Sequence, residues 1–355
     1  MRLPKAATVS GTIHVIFILA PISRFSLSHR LSLHHYSMQK TVLLYNPLSG
    51  RRQARRLADV EAALTVFRQA GVEATMEPTR GQADDTGQVR RAIAEGCDTI
   101  LACGGDGTVH DVLQGMVGSD AALGVIPLGT ANALAHDLQL PLSAADAARA
   151  NLTARPRRIA VGRVEYADID GHRAMRFFIV TVGIGADAHL FYKLNPQVKG
   201  RLGMAAYYVK ATRLWLTHPM ENFTVEIEPG TKADVSQLLA VRIRNFGGVL
   251  RELAPGASLD RDDLRLVLFR TRSRLAYLRY IVRGLVGARW RVGGIELVYG
   301  EKVGCHARGD AASDQRTFVE ADGELLGTLP AEINVVPDAV TLLVPCGANT
   351  PVPRP

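Results

Sequence analysis

The stretch Leu101–Val112, LACGGDGTVHDV, places three glycines, Gly104, Gly105 and Gly107, around one acid, Asp106. Glycines let backbone N–H groups converge on an anion with no Cβ in the way, and a helix starting there adds the positive end of its dipole. A carboxylate in such a loop repels phosphate unless it has another task. Two tasks fit: holding Mg²⁺ directly or through water, or orienting and deprotonating an attacking hydroxyl. The spacing matches neither GxxxxGK[ST] nor GxGxxG, so the P-loop and the dinucleotide fingerprint are excluded.

The flanking elements read as strands and helices in alternation. TVLLYN, VEATMEPT, TILACGG and LGVIPLG read as strands, and amphipathic helical segments follow each of them. The apolar runs suit parallel strands covered on both faces, which predicts a doubly wound α/β domain. In such sheets ligands bind at the carboxyl ends of the strands. Four segments fall there: YNPLSGRR, PTRGQADD, GGDGT and PLGTAN. Their glycines and the hydroxyls of Ser49, Thr79, Thr108 and Thr130 suit a phosphate site. One such loop alone would be an ordinary βα turn; four together favour anion binding.

Near Pro156 the rhythm changes to period two, with turn signals at Asp170-Gly171 and Asp322-Gly323. The reading is a nucleotide-binding domain over residues 38–156 and an antiparallel β-sandwich over 157–335. A last strand within 336–355, AVTLLVP, returns to the first domain. Residues 1–37 read as an extension, with Met38 as the expected natural start. Its apolar run TIHVIFILAPI is too short to span a bilayer.

The chain has 355 residues and a net charge of +8, which favours acidic partners without choosing among them. The four cysteines form no CxxC pair, so neither a zinc pattern nor a disulfide framework is indicated, and a reducing cytosol is the simplest setting.

GGDGT followed by PLGTAN, with NPLSG upstream, resembles the diacylglycerol kinase-like lipid kinases, which include the sphingosine and ceramide kinases. VGIGADA (182–188), GGVLRELAPGASL (247–259) and EADGELL (320–326) resemble that family's second-domain motifs. The resemblance implies a two-domain enzyme that uses ATP and Mg²⁺ to phosphorylate a lipid hydroxyl, diacylglycerol-like by expectation. It implies nucleotide contacts from Thr79, Gly104, Gly105, Asp106, Gly107, Thr108, Val109, His110, Asp111, Gly129, Thr130 and Asn132, with Asn46 and Gly50 shaping the first loop. It implies Glu324 as base, supported by Asp322, which would face the acceptor, and by Asp106 at the phosphate centre. No residue is assigned as a dedicated metal ligand. A cytoplasmic protein that docks transiently on the inner membrane face is expected, with no nucleic-acid partner and homodimerisation left open.

Two segments depart from the family pattern. His110-Asp111 stands where Asn-Glu is frequent, and His110 reads as a helix-surface or supporting residue. SLDRDDLRLVLF stands where some members bind a structural Mg²⁺ through Asp-Gly-Leu-Leu-Asp. Here Arg265 takes the final Asp position, and a guanidinium cannot ligate a cation; Asp260 and Asp262 are the remaining candidates. Arg51, Arg52, Arg55 and Arg56 read as a solvated helix face or an anion-attracting cluster. RLAYLRYIVRGLVGARW, mixing arginine with apolar residues, reads equally as core helix or interfacial helix. The alternatives to a lipid kinase are an NAD kinase-type enzyme and a non-catalytic nucleotide-binding regulator.

Overall fold

The computed structural model describes residues 37–47, 55–185, 220–247, 252–288, 290–308 and 316–346. The extension before Met38, Gly50, Arg51, Arg52 and the apolar run 201–218 lie outside them. The first lobe carries the parallel strands β1 (Lys40–Tyr45), β2 (Glu73–Pro78), β3 (Thr99–Gly104) and β4 (Ala122–Pro127) in the order β4-β3-β1-β2. Period two is visible in what each face buries. Val42, Leu44, Ile100, Ala102, Leu123 and Val125 enter one core. Leu43, Leu101, Cys103, Ala122 and Ile126, their chain neighbours, enter the other. Helices α2 (Gln82–Ala94) and α3 (Asp106–Met116) cover the first face, together with α4 (Ala133–Asp137). Helices α1 (Arg56–Gln69) and α5 (Ala144–Leu152) cover the second. This is the doubly wound arrangement that the apolar runs predict.

The second lobe contains β5 (Arg155–Ala167), β6 (Arg173–Phe178), β7 (Thr181–Gly185), β8 (Phe223–Ile227), β9 (Thr231–Val235), β10 (Gln237–Val241), β11 (Leu264–Phe269), β12 (Ile295–Gly300), β13 (Lys302–Ala307), β14 (Phe318–Ala321) and β15 (Glu324–Val344), with α6 (Arg274–Val286) between β11 and β12. One layer runs β12-β11-β10-β7-β14; β9, β8, β13, β15, β5 and β6 pair into the other. Val182, Ile184, Leu238, Leu266, Phe223, Val225, Val303 and Cys305 fill the space between them. The sequence GIELVYGEKV, read as one strand, is two: β12 and β13 pair with different partners on either side of Glu301.

β15 is the structural link. Its first residues pair with β14, its middle with β13 and β5, and Thr341 and Leu342 pair in parallel with Ala122 and Leu123 of β4. One strand of 21 residues therefore serves both lobes. The sequence reads it as two strands because the pairing with β5 slips at Thr328/Ala331 and again at Val336/Val340.

Candidate active site

Parallel pairing in register brings the four strand ends to one edge: Tyr45 lies opposite Pro78 and Cys103, and Gly104 opposite Pro127. Main-chain bonds tie the loops that follow. Thr79 N–H donates to the Tyr45 carbonyl (2.9 Å), Asn46 N–H to Cys103 (3.3 Å) and Leu128 N–H to Gly104 (2.8 Å).

Two glycine loops then touch backbone to backbone. A Cβ on Gly129 would stand 2.4 Å from the Gly105 Cα, and one on Gly104 would stand 2.1 Å from the Thr108 Oγ1. Both distances are below any van der Waals contact. Asn132 locks the second loop: it adopts a left-handed conformation, accepts the Gly129 N–H at its Oδ1 (2.9 Å) and donates from Nδ2 to the Gly129 carbonyl (3.2 Å). Helix α3 starts at Asp106 with Gly105 as its N-cap, which offers no side-chain cap hydrogen bond, and the positive end of its dipole faces the cleft.

Asp106 bridges the loops by accepting the Ala133 N–H at the start of α4 (2.7 Å). Burial pushes its carboxyl above the ordinary carboxylate range; the Ala133 bond opposes this and the Asp322 charge adds to it. Val109 and Thr108 are buried, Asp111 is half-buried and Thr130 is exposed at the loop rim. The Val109 side chain packs into the first-lobe core, so only its main chain faces the loop.

The second lobe supplies the facing wall through the β14–β15 hairpin. Its turn, Asp322-Gly323, has positive φ at both positions, the two-residue geometry that Asp-Gly favours. Glu324 follows and reaches across: a Cβ on Gly107 would stand 2.6 Å from its Oε1. The absence of a side chain at Gly107 is what lets a carboxylate from the second lobe rest on the phosphate loop. Burial raises the Glu324 carboxyl above the ordinary range; His110 opposes the shift and Asp322 reinforces it.

Asp322 does not face an acceptor. Its Oδ1 accepts the N–H groups of Val180 (2.9 Å) and Thr181 (3.0 Å); its Oδ2 accepts the Ile179 N–H (3.1 Å) and lies 3.2 Å from His110 Nδ1. Every direction around this carboxylate is taken. His110 is correspondingly not a helix-surface residue but a buried one, closed over by the second lobe. Next to it, the Gln114 amide exchanges two hydrogen bonds with the Phe177 main chain, both 2.9 Å.

Further residues complete the cleft, among them His136, Asp137, Ser143, Arg244 and Asn245, which the sequence reading left unassigned. Arg56 is buried rather than solvated, near Asp59 (3.8 Å), and with Thr130, Asn132, His136 and Ser143 it lines a cavity of about 590 Å³ beside the second glycine loop. Asp137 accepts the N–H groups of Arg244 and Asn245, both at 2.9 Å, and Gly247 leaves room for the His136 ring. Arg55 is exposed.

The DRDDLR segment is held by arginines. Arg242, fully buried, donates to the carbonyls of Arg261 (2.8 Å), Asp263 (2.9 Å) and Ala160 (2.7 Å). Asp263 takes both ends of the Arg261 guanidinium at 2.6 Å. Asp260 is occupied by Arg157, Arg244 and Ser258. Donor chemistry thus disfavours a cation here: fixed guanidinium groups use the carbonyls and both carboxylates, and Asp262 alone is exposed. Elsewhere among the described residues, three potential ligands approach one another only at Asp168, Asp170 and His172, in the exposed β5–β6 turn.

Two family models cover the chain: the diacylglycerol kinase catalytic domain over residues 40–164, and the YegS C-terminal NAD kinase beta sandwich-like domain over 180–344. A diacylglycerol kinase of Bacillus subtilis (strain 168) is 30% identical over 305 residues, 83% of this chain and 93% of that protein. The chain belongs to the diacylglycerol kinase family. A Staphylococcus aureus (strain bovine RF122 / ET3-1) diacylglycerol kinase is 26% identical over 68% of this chain and 73% of its own length. A solved structure from Bacillus anthracis str. Sterne has a TM-score of 0.69 and 21% identity, covering 89% of this chain and 98% of that one, a likeness of fold. Membership makes the chain an ATP-dependent lipid kinase. No helix among the described residues is long and apolar enough to cross a membrane.

Proposed function

We propose that this chain transfers the γ-phosphoryl group of ATP to the free hydroxyl of a diacylglycerol-like lipid, with Glu324 as the base. The observation that carries the assignment is the placement of Glu324. It comes from the second lobe, rests against Gly107 at the uncapped start of α3, and has a raised proton affinity. The nucleotide phosphates meet the N-terminal turn of α3 and the loop Gly129–Asn132, and the Arg56-lined cavity receives the rest of the nucleotide.

As the acceptor oxygen attacks the γ-phosphorus, Glu324 takes its proton, the bond to the β–γ bridging oxygen breaks, and ADP leaves. Asp106 fits a Mg²⁺ ion carried on the phosphates, because Mg²⁺ keeps several waters and needs only one or two protein carboxylates. Such an ion offsets charge on the transferring group. Asp322 is a positioning residue: it fixes the hairpin that presents Glu324 and holds His110 in place.

The test is labelled ATP with a lipid panel in detergent micelles. Phosphorylated diacylglycerol is expected from the wild-type chain and is lost in Glu324→Gln. Turnover of NAD with none of any lipid would overturn the reading, as would ATP binding without turnover.

A further inference from the structure

The outer face of α6 is apolar and uncovered. Leu275, Leu278, Ile281, Val282, Leu285 and Val286 stand 38–62% exposed, and Trp290, just beyond the helix, 47%. At 3.6 residues per turn these six side chains share one arc of about 140°. The opposite face is firmly seated. Tyr277 and Tyr280 pack on Phe269, Ser273 caps the first turn, and the Tyr280 hydroxyl donates to the Leu253 carbonyl. Exposure of the outer arc is therefore a property of a well-anchored helix.

Charge along this stretch of the chain has one sign. Between Leu264 and Ile295 the chain has no Asp or Glu and has arginine at 265, 270, 272, 274, 279, 283, 289 and 291. Arg272, Arg279 and Arg291 are exposed beside the apolar face. An apolar arc on a stretch rich in arginine and free of acids, with a tryptophan at its end, is complementary to an anionic bilayer surface. Aliphatic side chains enter the acyl boundary, guanidinium groups meet phosphates, and the indole sits at the headgroup level.

We infer that α6 and Trp290 form the surface by which this chain docks on an anionic phospholipid bilayer. The choice of a bilayer rests on the lipid-kinase reading above. Placement supports it: the buried side of α6 packs on Ala254 and Ala257. The chain leading into that stretch carries Arg244 and Asn245, whose N–H groups bond Asp137, and Gly247, which seats His136. The docking helix is thus one packing layer from the cleft, on the lobe that supplies the base.

The experiment is co-sedimentation of the full chain with vesicles of phosphatidylcholine, with and without phosphatidylglycerol. The wild-type chain should bind the anionic vesicles, less at high salt. Leu278→Ser/Val282→Ser should bind about tenfold more weakly. Arg279→Glu, which leaves the apolar arc intact, should bind several-fold more weakly and flatten the salt dependence. Both variants should keep wild-type turnover of a short-chain diacylglycerol in detergent. Vesicle binding unaffected by either variant overturns the inference. So does a wild-type dimer that the variants convert to monomers with vesicle binding unchanged, since a second copy then covers the face. Hydrogen exchange in α6 that is equally slow with and without vesicles also overturns it, and points to the chain's own apolar segment 201–218. If α6-dependent vesicle binding persists while the wild-type chain phosphorylates no lipid in detergent, docking stands and the acceptor assignment fails.

Discussion

Three carboxylates meet at the cleft, and their surroundings separate their roles. Burial makes Glu324 and Asp106 costly charges, and backbone N–H groups offset part of that cost at Asp106; Asp322 is held by three N–H groups and an imidazole. Glu324→Gln should lower kcat by about 10²–10⁴ in a lipid phosphorylation assay, the usual range for losing a general base. Asp106→Asn should cost activity while leaving the calorimetric Tm equal or higher, since the amide keeps an acceptor for Ala133 and removes a desolvated charge. Asp322→Ala should cost about 3–5 kcal/mol, because it strands His110 and the 179–181 amides beneath the hairpin. The pH dependence follows from the raised carboxyls. From the ordinary values of 3.8 and 4.5 upward, the native state keeps protons that the unfolded chain has released. The stability these two groups lend is complete below those values and is lost as pH rises through the native ones. The acid limb of kcat/KM should accordingly lie above the usual carboxylate range and shift in Glu324→Asp. Of this trio, the sequence singles out Asp106 in GGDGT by itself and Glu324 only through the family resemblance of its Asp-Gly-Glu turn, and the structure brings both to one cleft. The surroundings of Asp322 were not legible, because Asp-Gly is by itself a good turn and its partners lie 141–143 and 212 positions earlier in the chain.

At the scale of elements, the strand-end loops could be read because parallel strands in register must deliver them to one edge. Their mutual contact could not, since no local pattern announces that Gly105 will meet Gly129. A methyl group at Gly129 meets the Gly105 backbone at 2.4 Å and the Asn132 Oδ1 at 2.7 Å, a side chain already bonded to this loop, so Gly129→Ala should destabilise by about 1–3 kcal/mol and raise the KM for ATP. Gly107→Ala meets a movable carboxylate instead; it should leave Tm nearly unchanged and lower kcat. The DRDDLR segment shows the reverse kind of legibility. The Arg265 departure was visible in sequence, but Arg242, in the otherwise apolar run LLAVRI, gave no sign that it would sit under the segment and bind its carbonyls. Burial lowers its proton affinity to about 10, which leaves it charged at neutral pH. A cation supplied by the chain itself needs no metal, so EDTA should leave the Tm of the nucleotide-free protein unchanged. Arg242→Met should cost about 2–4 kcal/mol by orphaning those carbonyls. A chelator-induced fall in Tm would assign a metal to this segment after all.

For the whole molecule, the change of rhythm near Pro156 suggests two domains with a last, separate strand returning to the first; the return is there, but it is made by one continuous strand that serves both lobes. β5 pairs with β15 from Arg155 to Ala167, and β15 continues from the Asp-Gly-Glu turn into register with β4. Sequence separates these pieces because the bulges at Thr328/Ala331 and Val336/Val340 interrupt the alternation that marks a strand. Polar stitches reinforce the join: His110 to Asp322, Gln114 to Phe177, Asp137 to Arg244 and Asn245, and Arg242 to Ala160. Lobes linked by a flexible tether would melt independently; lobes that share a strand through their cores cannot, because losing β15 from one removes its pairing in the other. Calorimetry should therefore show one transition, with calorimetric and van't Hoff enthalpies equal. ATP should move that transition as a whole, by about 2.7 kcal/mol at a hundredfold excess over its Kd. Two resolved transitions, only the first responding to ATP, would mean that β15 does not couple the lobes. Glu324 would then reach Gly107 only after domain closure.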